Sequence, residues 1–414
     1  MNSSSSRILI VVNVFRPDLG GGVLFSDLCE GLHERGHKIK VKCAVPYYPQ
    51  WKDTAGKNGL QISTDTSLGF PVERHGLFIP KNPNSLIQRL LYEASFFFSL
   101  LRRLPKRHEF DAILVFSPLM GSVAYAVLAS WRSKAPIWLN VQDLSAQAAA
   151  AGGISGGGIV SRMLVKVQNA LFRQCDLWST ISAPMVDTLK SIEGAPSPVE
   201  YVPNWLHASL SAHIATLRAK EETPETTPGH GIKLLYSGNL GGKQNLLAFC
   251  QFLHTLPISF QFTIQAEGAQ LASLKSWIDE VSDARFTLKG FSDEAGLAAA
   301  LADADFYVIT EKAGAGNSFI PSKLIPGISS GTAILAICDS DGPLGSEVNE
   351  FDLGAHLTWD RLSELLPLFE DVLNNPLRRT VWRQNALARS TFYNRTSGID
   401  RCVSILAKVI ELKK

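Results

Sequence analysis

Apolar and polar residues alternate along this chain in two blocks that open in the same way. In the first block, an apolar run at 7–13 predicts a buried strand, residues 17–22 predict a glycine loop, and periodic apolar positions at 23–35 predict a packed helix. The second block repeats this order, with a strand at 232–236 and a helix at 246–253. The repeat is one of architecture and not of residues, and it indicates two domains in tandem.

Further short apolar runs lie between segments with helical spacing in both blocks. This alternation is typical of parallel sheets covered by helices on both faces. The fold class we expect is therefore α/β, with two tandem Rossmann-like, doubly wound domains and a ligand in the interdomain cleft. The additional predicted strands are 37–44, 112–116, 137–141 and 177–181 in the first block, and 260–265, 285–288, 306–309 and 333–337 in the second.

A polar, proline-bearing segment at 219–230 separates the two blocks, as linkers and exposed loops do. We therefore place the hinge between residues 204 and 231. The expected domains are 1–205 and 206–380. Helices at 381–414 are expected to pack back on the first domain.

The segment Tyr236–Asn245 carries the strongest chemical signal. A strand that turns through glycines into a helix leaves free backbone N–H groups at the helix start, and these favour an anion. Gly238, Gly241 and Gly242 allow close approach of a ligand, and Lys243 adds a mobile positive charge. A diphosphate, as carried by a nucleotide-sugar, fits this segment. An ordinary β–α turn that uses glycine and asparagine for shape fits it equally well.

Composition narrows the class of protein. The 414 residues include 45% hydrophobic and 19% charged residues, which is typical of a globular protein with large cores. A net charge of +2 gives no reason to expect nucleic-acid binding. The 6 cysteines are scattered without a CxxC pair, which disfavours zinc and a disulfide framework and favours a reducing cytosol. Without an apolar run of signal-peptide or membrane-span length, we expect a cytoplasmic protein, or one bound to a membrane from one side.

Two segments allow two interpretations each. Residues 86–108 combine leucines and phenylalanines with Arg102, Arg103 and other basic residues, so this segment could lie along an anionic bilayer. The alternative is a buried helix with a basic end. Residues 146–158 are nearly all Ala, Gly and Ser, and they are either a lid that orders over a substrate or a surface loop.

Several short segments, by their order and spacing, carry a resemblance to a known family. The chain is similar to retaining glycosyltransferases of the GT-B fold in family 4. Within that family it resembles the branch that makes bacterial exopolysaccharide, including the colanic-acid type. The segments are Gly20–Gly22, Pro46–Trp51, Val141–Leu144, Ser179–Ser182, Val202–Trp205, Tyr236–Gln244 and Pro321–Leu324.

The resemblance implies that the C-terminal domain holds the sugar nucleotide and the N-terminal domain holds the acceptor. Lys243 matches the family's diphosphate-binding lysine. Asn239 stands where the family usually has an arginine, and Lys323, next to Ser322 in the other phosphate-facing loop, is the candidate to replace that cation. The remaining family matches, in the loop that holds the nucleotide base, are Gly290 and Phe291.

The chain departs from the family at a pair of glutamates. Many members carry a Glu-x7-Glu pattern before the glycine that matches Gly331, and the two positions here are Ser318 and Pro326. Glu311 lies too far upstream to fill the first position without a shifted loop. The departure implies either altered donor contacts or an inactive chain. The retained Pro321–Leu324 favours an altered, active enzyme.

The expected chemistry needs neither a metal nor a cofactor. Backbone N–H groups with Lys243 and Lys323 would stabilise the departing diphosphate. From the first domain, Gly21 and Gly22 would allow close approach of diphosphate or acceptor. Asp143, at the end of a predicted strand, is a candidate to contact an acceptor hydroxyl and remove its proton, although it could equally cap a loop.

These observations lead to one main hypothesis and two alternatives. The main hypothesis is a retaining hexosyl- or deoxyhexosyltransferase that moves a sugar from a UDP- or GDP-sugar to a lipid-linked saccharide acceptor in exopolysaccharide or cell-surface glycan synthesis. A nucleotide-sugar epimerase or hydrolase on the same fold is a related alternative. The second alternative is a non-catalytic, nucleotide-sugar-binding partner subunit of another transferase. The missing glutamates motivate this alternative.

Overall fold

A computed structural model describes residues 5–54, 56, 61–82, 85–117, 119–143, 159–220, 231–314 and 320–412. The chain divides into two compact units, one formed by Met1–Pro203 with Gly398–Lys414 and the other by Asn204–Ser397. The predicted loop at 146–158 lies outside the described residues, as does most of the predicted linker. Each unit is a mainly parallel sheet with its own helices, which confirms the predicted α/β fold class.

The first unit is built on one large sheet in the order β3-β4-β2-β1-β5-β6-β7-β8. Neighbouring strands pair in parallel, except that β3 runs antiparallel to β4. Every residue of β5 and β6 is buried, as expected for apolar strands covered on both faces. The strands are β1 (Arg7–Val11), β2 (Lys38–Ala44), β3 (Ile62–Asp65), β4 (Val72–His75), β5 (Ala112–Ser117), β6 (Ile137–Val141), β7 (Leu177–Thr180) and β8 (Glu200–Tyr201). The helices are α1 (Gly21–Glu34), α2 (Leu86–Leu101), α3 (Met120–Ser133), α4 (Ile159–Phe172), α5 (Ala183–Lys190) and α14 (Arg395–Glu411), whose first three residues belong to the second unit.

The second unit contains an all-parallel sheet in the order β11-β10-β9-β12-β13-β14. The strands are β9 (Ile232–Asn239), β10 (Phe260–Glu267), β11 (Phe286–Lys289), β12 (Phe306–Thr310), β13 (Ala333–Ile337) and β14 (Gly354–Leu357). The helices are α6 (Ala208–Lys220), α7 (Leu246–His254), α8 (Leu271–Val281), α9 (Glu294–Asp303), α10 (Leu324–Ser330), α11 (Pro343–Glu350), α12 (Leu365–Asn374) and α13 (Pro376–Ser390), with 3-10 turns at Trp359–Glu364 and Thr391–Tyr393.

The strands predicted from apolar runs are all present, with ends that differ by three residues or fewer. The strands that the sequence pattern missed are β3, β4, β8 and β14. These are short, and β3 is polar and partly exposed at the sheet edge, so it has no buried face to produce an apolar pattern. One boundary matters for the candidate site. Strand β9 continues to Asn239, so Gly238 lies within a strand and not in the loop that follows.

Each sheet reverses its strand order at one place, between β1 and β5 in the first unit and between β9 and β12 in the second. In doubly wound folds, ligands bind outside the carboxyl ends of the strands at such a point. Strands β9 and β12 pair only at Leu234–Phe306 and Leu235–Tyr307. Beyond that pairing the Tyr307 hydroxyl donates a hydrogen bond to the Ser237 carbonyl at 3.0 Å, so a side chain occupies the space that opens between the strands.

The C-terminal helices divide between the units, at a boundary that differs from the predicted segment 381–414. Helix α13 belongs to the second unit because its Trp382 and Ala386 are buried in that unit's cores. Only residues 398–414 group with the first unit. There, Ile399 packs against Gly31 of α1 so closely that a methyl group added at the glycine would lie 2.0 Å from its Cδ1.

Candidate functional site

Two lysines meet at the carboxyl edge of the sheet in the second unit. Lys243 lies in the loop after β9, and Lys323 immediately precedes α10. Both line a cavity of about 50 Å³. The other lining residues are Gln244, Ile309, Thr310, Glu311 and Pro321. Two of the predicted site residues, far apart in sequence, therefore belong to one site.

The Lys323 side chain is largely buried against β9. Its Nζ lies 3.8 Å from the centre of the Tyr236 ring and donates a hydrogen bond to the Tyr236 hydroxyl at 2.5 Å. A longer bond of 3.4 Å reaches the Asn239 carbonyl, which also accepts from the Tyr236 hydroxyl at 2.9 Å. Burial lowers the pKa of Lys323 to about 7, although the nearby Glu311 acts in the opposite direction. The Lys323 side chain therefore gains or loses its proton near neutral pH.

Gly238 makes room for this lysine. Its φ of 137° lies in a region that side-chain-bearing residues rarely adopt, and a Cβ at this position would lie 2.4 Å from Lys323 Cε. The sequence assigned Gly238 to close approach of a phosphate. In the structure, the alkyl chain of Lys323 occupies that space. The glycine therefore makes room for the lysine side chain and not directly for a phosphate.

Glu311 lines the cavity of the two lysines and follows β12 directly. Its distance from Gly331 led to the prediction that it cannot fill the family's first glutamate position without a shifted loop, and that stays a prediction. Its Oε2 is buried, with no hydrogen-bond partner among the described residues. Burial and the nearby Asp339 raise the pKa of Glu311 to about 7, against the effect of the two lysines. The signal available in the sequence was an acid placed directly after a buried strand of the parallel sheet.

The loop after β9 is held by its own hydrogen bonds. The Gln244 side chain accepts from the Gly241 N–H at 2.8 Å, so that N–H is not free for an anion in this state, contrary to expectation. The Gln244 carbonyl accepts from Thr310 Oγ1 at 2.6 Å, and the Lys243 carbonyl accepts from the Lys312 N–H at 2.7 Å. These bonds fix the Lys243 backbone against the end of β12.

The remaining predicted residues of this unit lie on the same edge of the sheet. Gly290 and Phe291 follow β11, where Phe291 is 45% exposed and a Cβ at Gly290 would meet nothing within 4 Å. Ser322 is exposed beside Lys323, and Asn239 ends β9. Ser318 lies outside the described residues. Pro326 lies inside α10, where its ring offers no hydrogen-bonding group to a ligand.

The predicted residues of the first unit lie at the carboxyl edge of its sheet. Gly21 and Gly22 begin α1, and a Cβ at Gly22 would lie 2.9 Å from Asp18 Cβ, so this glycine serves the packing of its own loop. Asp143 is exposed two residues beyond the end of β6. Its place after a strand agrees with the predicted position, and its role stays a prediction.

Neither a metal cluster nor a membrane-spanning helix is found in the part of the chain that the structure describes. No group of three or more His, Cys, Asp or Glu side chains there could hold an ion. None of the described helices is long and apolar enough to cross a bilayer.

Comparison with known proteins relates the chain to glycosyltransferases. Residues 20–205 match the model of the Glycosyl transferase 4-like domain. The colanic acid biosynthesis glycosyl transferase WcaI of Escherichia coli (strain K12), so named, is 27% identical over 92% of this chain and 98% of its own length.

Solved structures agree on the fold. Sucrose-phosphate synthase from Thermosynechococcus elongatus superposes with a TM-score of 0.71 at 13% identity, over 98% of this chain and 100% of its own. HepE of Anabaena, in complex with UDP-glucose, has a TM-score of 0.62 at 15% identity over 97% and 100% of the two chains. At these identities the likeness concerns the fold alone.

Two doubly wound units, one of them with paired lysines at its sheet edge, define the class as GT-B. The family match over residues 20–205, the fold and the near full-length similarity to WcaI all relate the chain to glycosyltransferases of family 4. The predicted resemblance and enzyme class are confirmed.

Proposed function

We propose that this glycosyltransferase moves a hexosyl or deoxyhexosyl group, with retention of configuration, from a UDP- or GDP-sugar to a lipid-linked saccharide. The step would belong to exopolysaccharide or cell-surface glycan synthesis on the cytoplasmic side of a membrane. The observation that carries the proposal is the convergence of Lys243 and Lys323 on one cavity. Two cations at the carboxyl edge of a doubly wound sheet suit a diphosphate leaving group.

The bond that breaks joins the anomeric carbon to the diphosphate oxygen. Negative charge grows on that oxygen as the bond breaks, and lysines stabilise it by charge-assisted hydrogen bonds worth about 1.5–3 kcal/mol each. The acceptor hydroxyl forms the new bond and releases its proton, for which Asp143 is the proposed base. The exposed Phe291 and the open backbone at Gly290 suit contact with the nucleotide base.

The donor is proposed from a relative and from the charge of the site. HepE is described in complex with UDP-glucose, and it shares the fold of this chain. The similarity to WcaI supports polysaccharide synthesis of the colanic-acid type.

Helix α2 supports contact with a lipid surface. Its buried side is formed by Tyr92, Phe96, Ser99 and Leu100. On the remaining surface, Ile87, Leu91 and Phe98 are 71%, 50% and 64% exposed, at a spacing that brings them to one side of the helix. Exposed lysines and arginines follow the helix at 102–107. An apolar stripe with basic residues at its end is typical of helices that lie in an anionic interface.

The transfer is tested with purified protein, a panel of UDP- and GDP-sugars and a lipid extract as acceptor source. Lys243→Ala should lower turnover at least about tenfold, since one charge-assisted contact is lost. Lys275→Ala is the matched control, because Lys275 is an exposed lysine on α8 that pairs with Asp279 in the same helix. NMR of the anomeric proton in the product tests retention.

A different outcome would favour a binding subunit. The acids of the family's glutamate pair are replaced here, so tight binding of a sugar nucleotide without turnover on any extract would show that catalysis has been lost. Equal turnover by Lys243→Ala and wild-type protein would contradict the proposed donor site.

Vesicle flotation tests the lipid contact. Wild-type protein should float with phosphatidylglycerol vesicles, and Ile87→Ser with Phe98→Ser should abolish flotation. Leu377→Ser in the second unit removes an equally exposed apolar side chain, at 74%, and should have no effect. Arg103 is left intact because its guanidinium bonds Glu73 at 3.3 Å, and its loss would disturb the fold. If the α2 variant floats as well as wild-type protein, this surface of α2 is not the lipid contact.

A further inference from the structure

Two sequence motifs that the proposed function leaves unused come together in the first unit. Residues 46–51 follow β2 and carry Tyr47, Tyr48 and Trp51, while the glycine motif at 20–22 begins α1. Asp18 joins them, because its Oδ1 accepts the backbone N–H groups of both Tyr47 and Tyr48 at 2.9 Å. Both segments lie where β1 and β2 end, at the carboxyl edge of the sheet.

The aromatic side chains form one cluster, which we call the aromatic platform and define as Tyr47, Tyr48, Trp51 and Tyr92. The Trp51 ring centre lies 5.6 Å from that of Tyr47, 6.2 Å from that of Tyr48 and 5.9 Å from that of Tyr92, always edge to face. Hydrogen bonds hold the floor of the platform. The hydroxyls of Tyr47 and Tyr92 bond each other, and the Asn13 side chain donates to Tyr47 at 3.2 Å.

The platform is rigid at its base and open at its top. Tyr47 and Tyr92 are buried, whereas Tyr48 is 38% exposed and Trp51 is partly exposed. The Tyr48 ring lies beside Gly20, where an added Cβ would be 3.8 Å away, so this residue places no side chain over the ring. The exposed ring of Tyr48 therefore lies beside a glycine backbone.

The backbone at Trp51 adopts an unusual conformation. Its φ is 52°, in the left-handed region that bulky residues rarely occupy. The turn is closed on both sides, by the Lys52 N–H to the Tyr47 carbonyl at 3.2 Å and by the Thr54 N–H to the Pro46 carbonyl at 3.1 Å. Residues held in such conformations by their surroundings cluster at ligand-binding sites. A tryptophan that only filled the core would not need this backbone.

We propose that the aromatic platform is a saccharide subsite, in which Trp51 and Tyr48 stack against the C–H face of a pyranose ring. Pyranoses combine an apolar face with a rim of hydroxyls, and exposed aromatic rings beside backbone polar groups match both parts. Asp18 is a positioning residue that fixes the peptide groups of the two tyrosines. The pyranose is assigned to the acceptor, since the proposed diphosphate site is in the other unit; this assignment rests on the proposed function.

Saturation-transfer NMR tests the subsite directly. One probe is UDP-glucose. The others are methyl glycosides of glucose, galactose, mannose and fucose and their α-1,4- and β-1,4-linked disaccharides, each with and without UDP. Wild-type protein should transfer saturation to ring C–H protons of at least one probe. Trp51→Ala should lower the signal about fivefold, as the loss of one aromatic contact predicts. Trp131→Ala, which removes a 61% exposed tryptophan from α3, should leave it unchanged.

Three outcomes separate the possibilities. Absence of transfer to every probe, or equal transfer in Trp51→Ala with its circular dichroism intact, overturns the subsite. Transfer only to the sugar of UDP-glucose, lost in Trp51→Ala, assigns the platform to the donor and overturns its assignment to the acceptor. Calorimetry of UDP with wild-type protein tests the proposed function separately. Binding of UDP without binding of any glycoside would contradict the saccharide subsite and leave the proposed donor site intact.

Discussion

The Lys323 ammonium lies over the Tyr236 ring at 3.8 Å from its centre and bonds the hydroxyl of the same tyrosine at 2.5 Å. This pairing holds a largely buried cation, and no carboxylate of the described residues forms a salt bridge with it. A ring face and a neutral oxygen stabilise a charge less than an acid would, so the ammonium is readily available to an incoming anion. The pairing therefore favours a role in binding the donor over a purely structural role.

Gly238→Ala should displace this lysine. The new methyl group would lie 2.4 Å from Lys323 Cε, on a backbone with φ of 137°. We expect a loss of about 2 kcal/mol in the free energy of unfolding and weaker binding of UDP-sugars. Urea unfolding and calorimetry measure the two effects. Gly36→Ala in the first unit is the control, since its φ of 84° also disfavours a side chain but an added Cβ would meet nothing within 4 Å, and unchanged binding in Gly238→Ala would contradict this role of Gly238.

Donor binding should weaken as the pH rises through 7. The pKa of Lys323 is lowered to about 7, so the side chain is mostly charged at pH 6 and mostly neutral at pH 8. If the charged form binds the diphosphate, affinity should fall about tenfold between these values. Glu311, with a pKa raised to about 7, gains negative charge over the same range and acts in the same direction.

Calorimetry with an intact UDP-sugar measures this dependence, because its phosphates do not titrate between pH 6 and 8. Lys323→Arg keeps its charge over the whole range and should flatten the profile. A profile in wild-type protein that is already flat would show that Lys323 stays charged, or that it does not touch the donor.

Whether the sequence predicts a structural feature depends on how far apart in the chain the interacting residues lie. Apolar runs predicted the buried parallel strands, because those strands produce their own signal. The pairing of Tyr236 with Lys323 joins residues 87 positions apart, and no local pattern reports it. Edge strands such as β3 were missed for the opposite reason, since half-exposed polar residues have no pattern.

The candidate site follows the same rule. Lys243 was found because its loop stands between a strand and a helix. Counting along the chain did not place Glu311 in the cavity, because the cavity depends on which strands are neighbours, and β12 lies beside β9. The meeting of Tyr48 with Gly20 likewise needs the fold, because β2 must return beside β1.

The contact between Gly31 and Ile399 should control how the C-terminal helix docks on the first unit. A methyl group at Gly31 would lie 2.0 Å from Ile399 Cδ1, so Gly31→Ala should cost about 2 kcal/mol in the free energy of unfolding. Ile399→Val removes that Cδ1 carbon and should recover about 1 kcal/mol in the double variant. Denaturant unfolding of the four proteins measures the coupling. Strictly additive effects would show that the two side chains do not meet.

A buried charge cluster around Glu73 should dominate the acid stability of the first unit. Glu73 is 3% exposed and pairs with Lys42, which is 1% exposed, and with His75 Nε2 at 2.8 Å. Burial alone would oppose its ionisation, but hydrogen bonds from His75 and Lys42 outweigh that effect and hold the pKa of Glu73 well below its usual value of 4.5. The ionised glutamate is thus part of the folded state at neutral pH.

Glu73→Gln should therefore cost about 3 kcal/mol in the free energy of unfolding at pH 7, because it leaves Lys42 buried without its counter-charge. The sign of the pH dependence follows from the lowered pKa. Stability from Glu73 is fully present above pH 4.5 and is lost as the pH falls below it, so the difference between wild type and variant should shrink towards pH 3. Urea unfolding at several pH values measures it. Glu109→Gln, which removes a half-exposed carboxylate 3.6 Å from Lys40, should cost less than about 1 kcal/mol, and an equal cost for both variants would show that burial does not set the strength of the cluster.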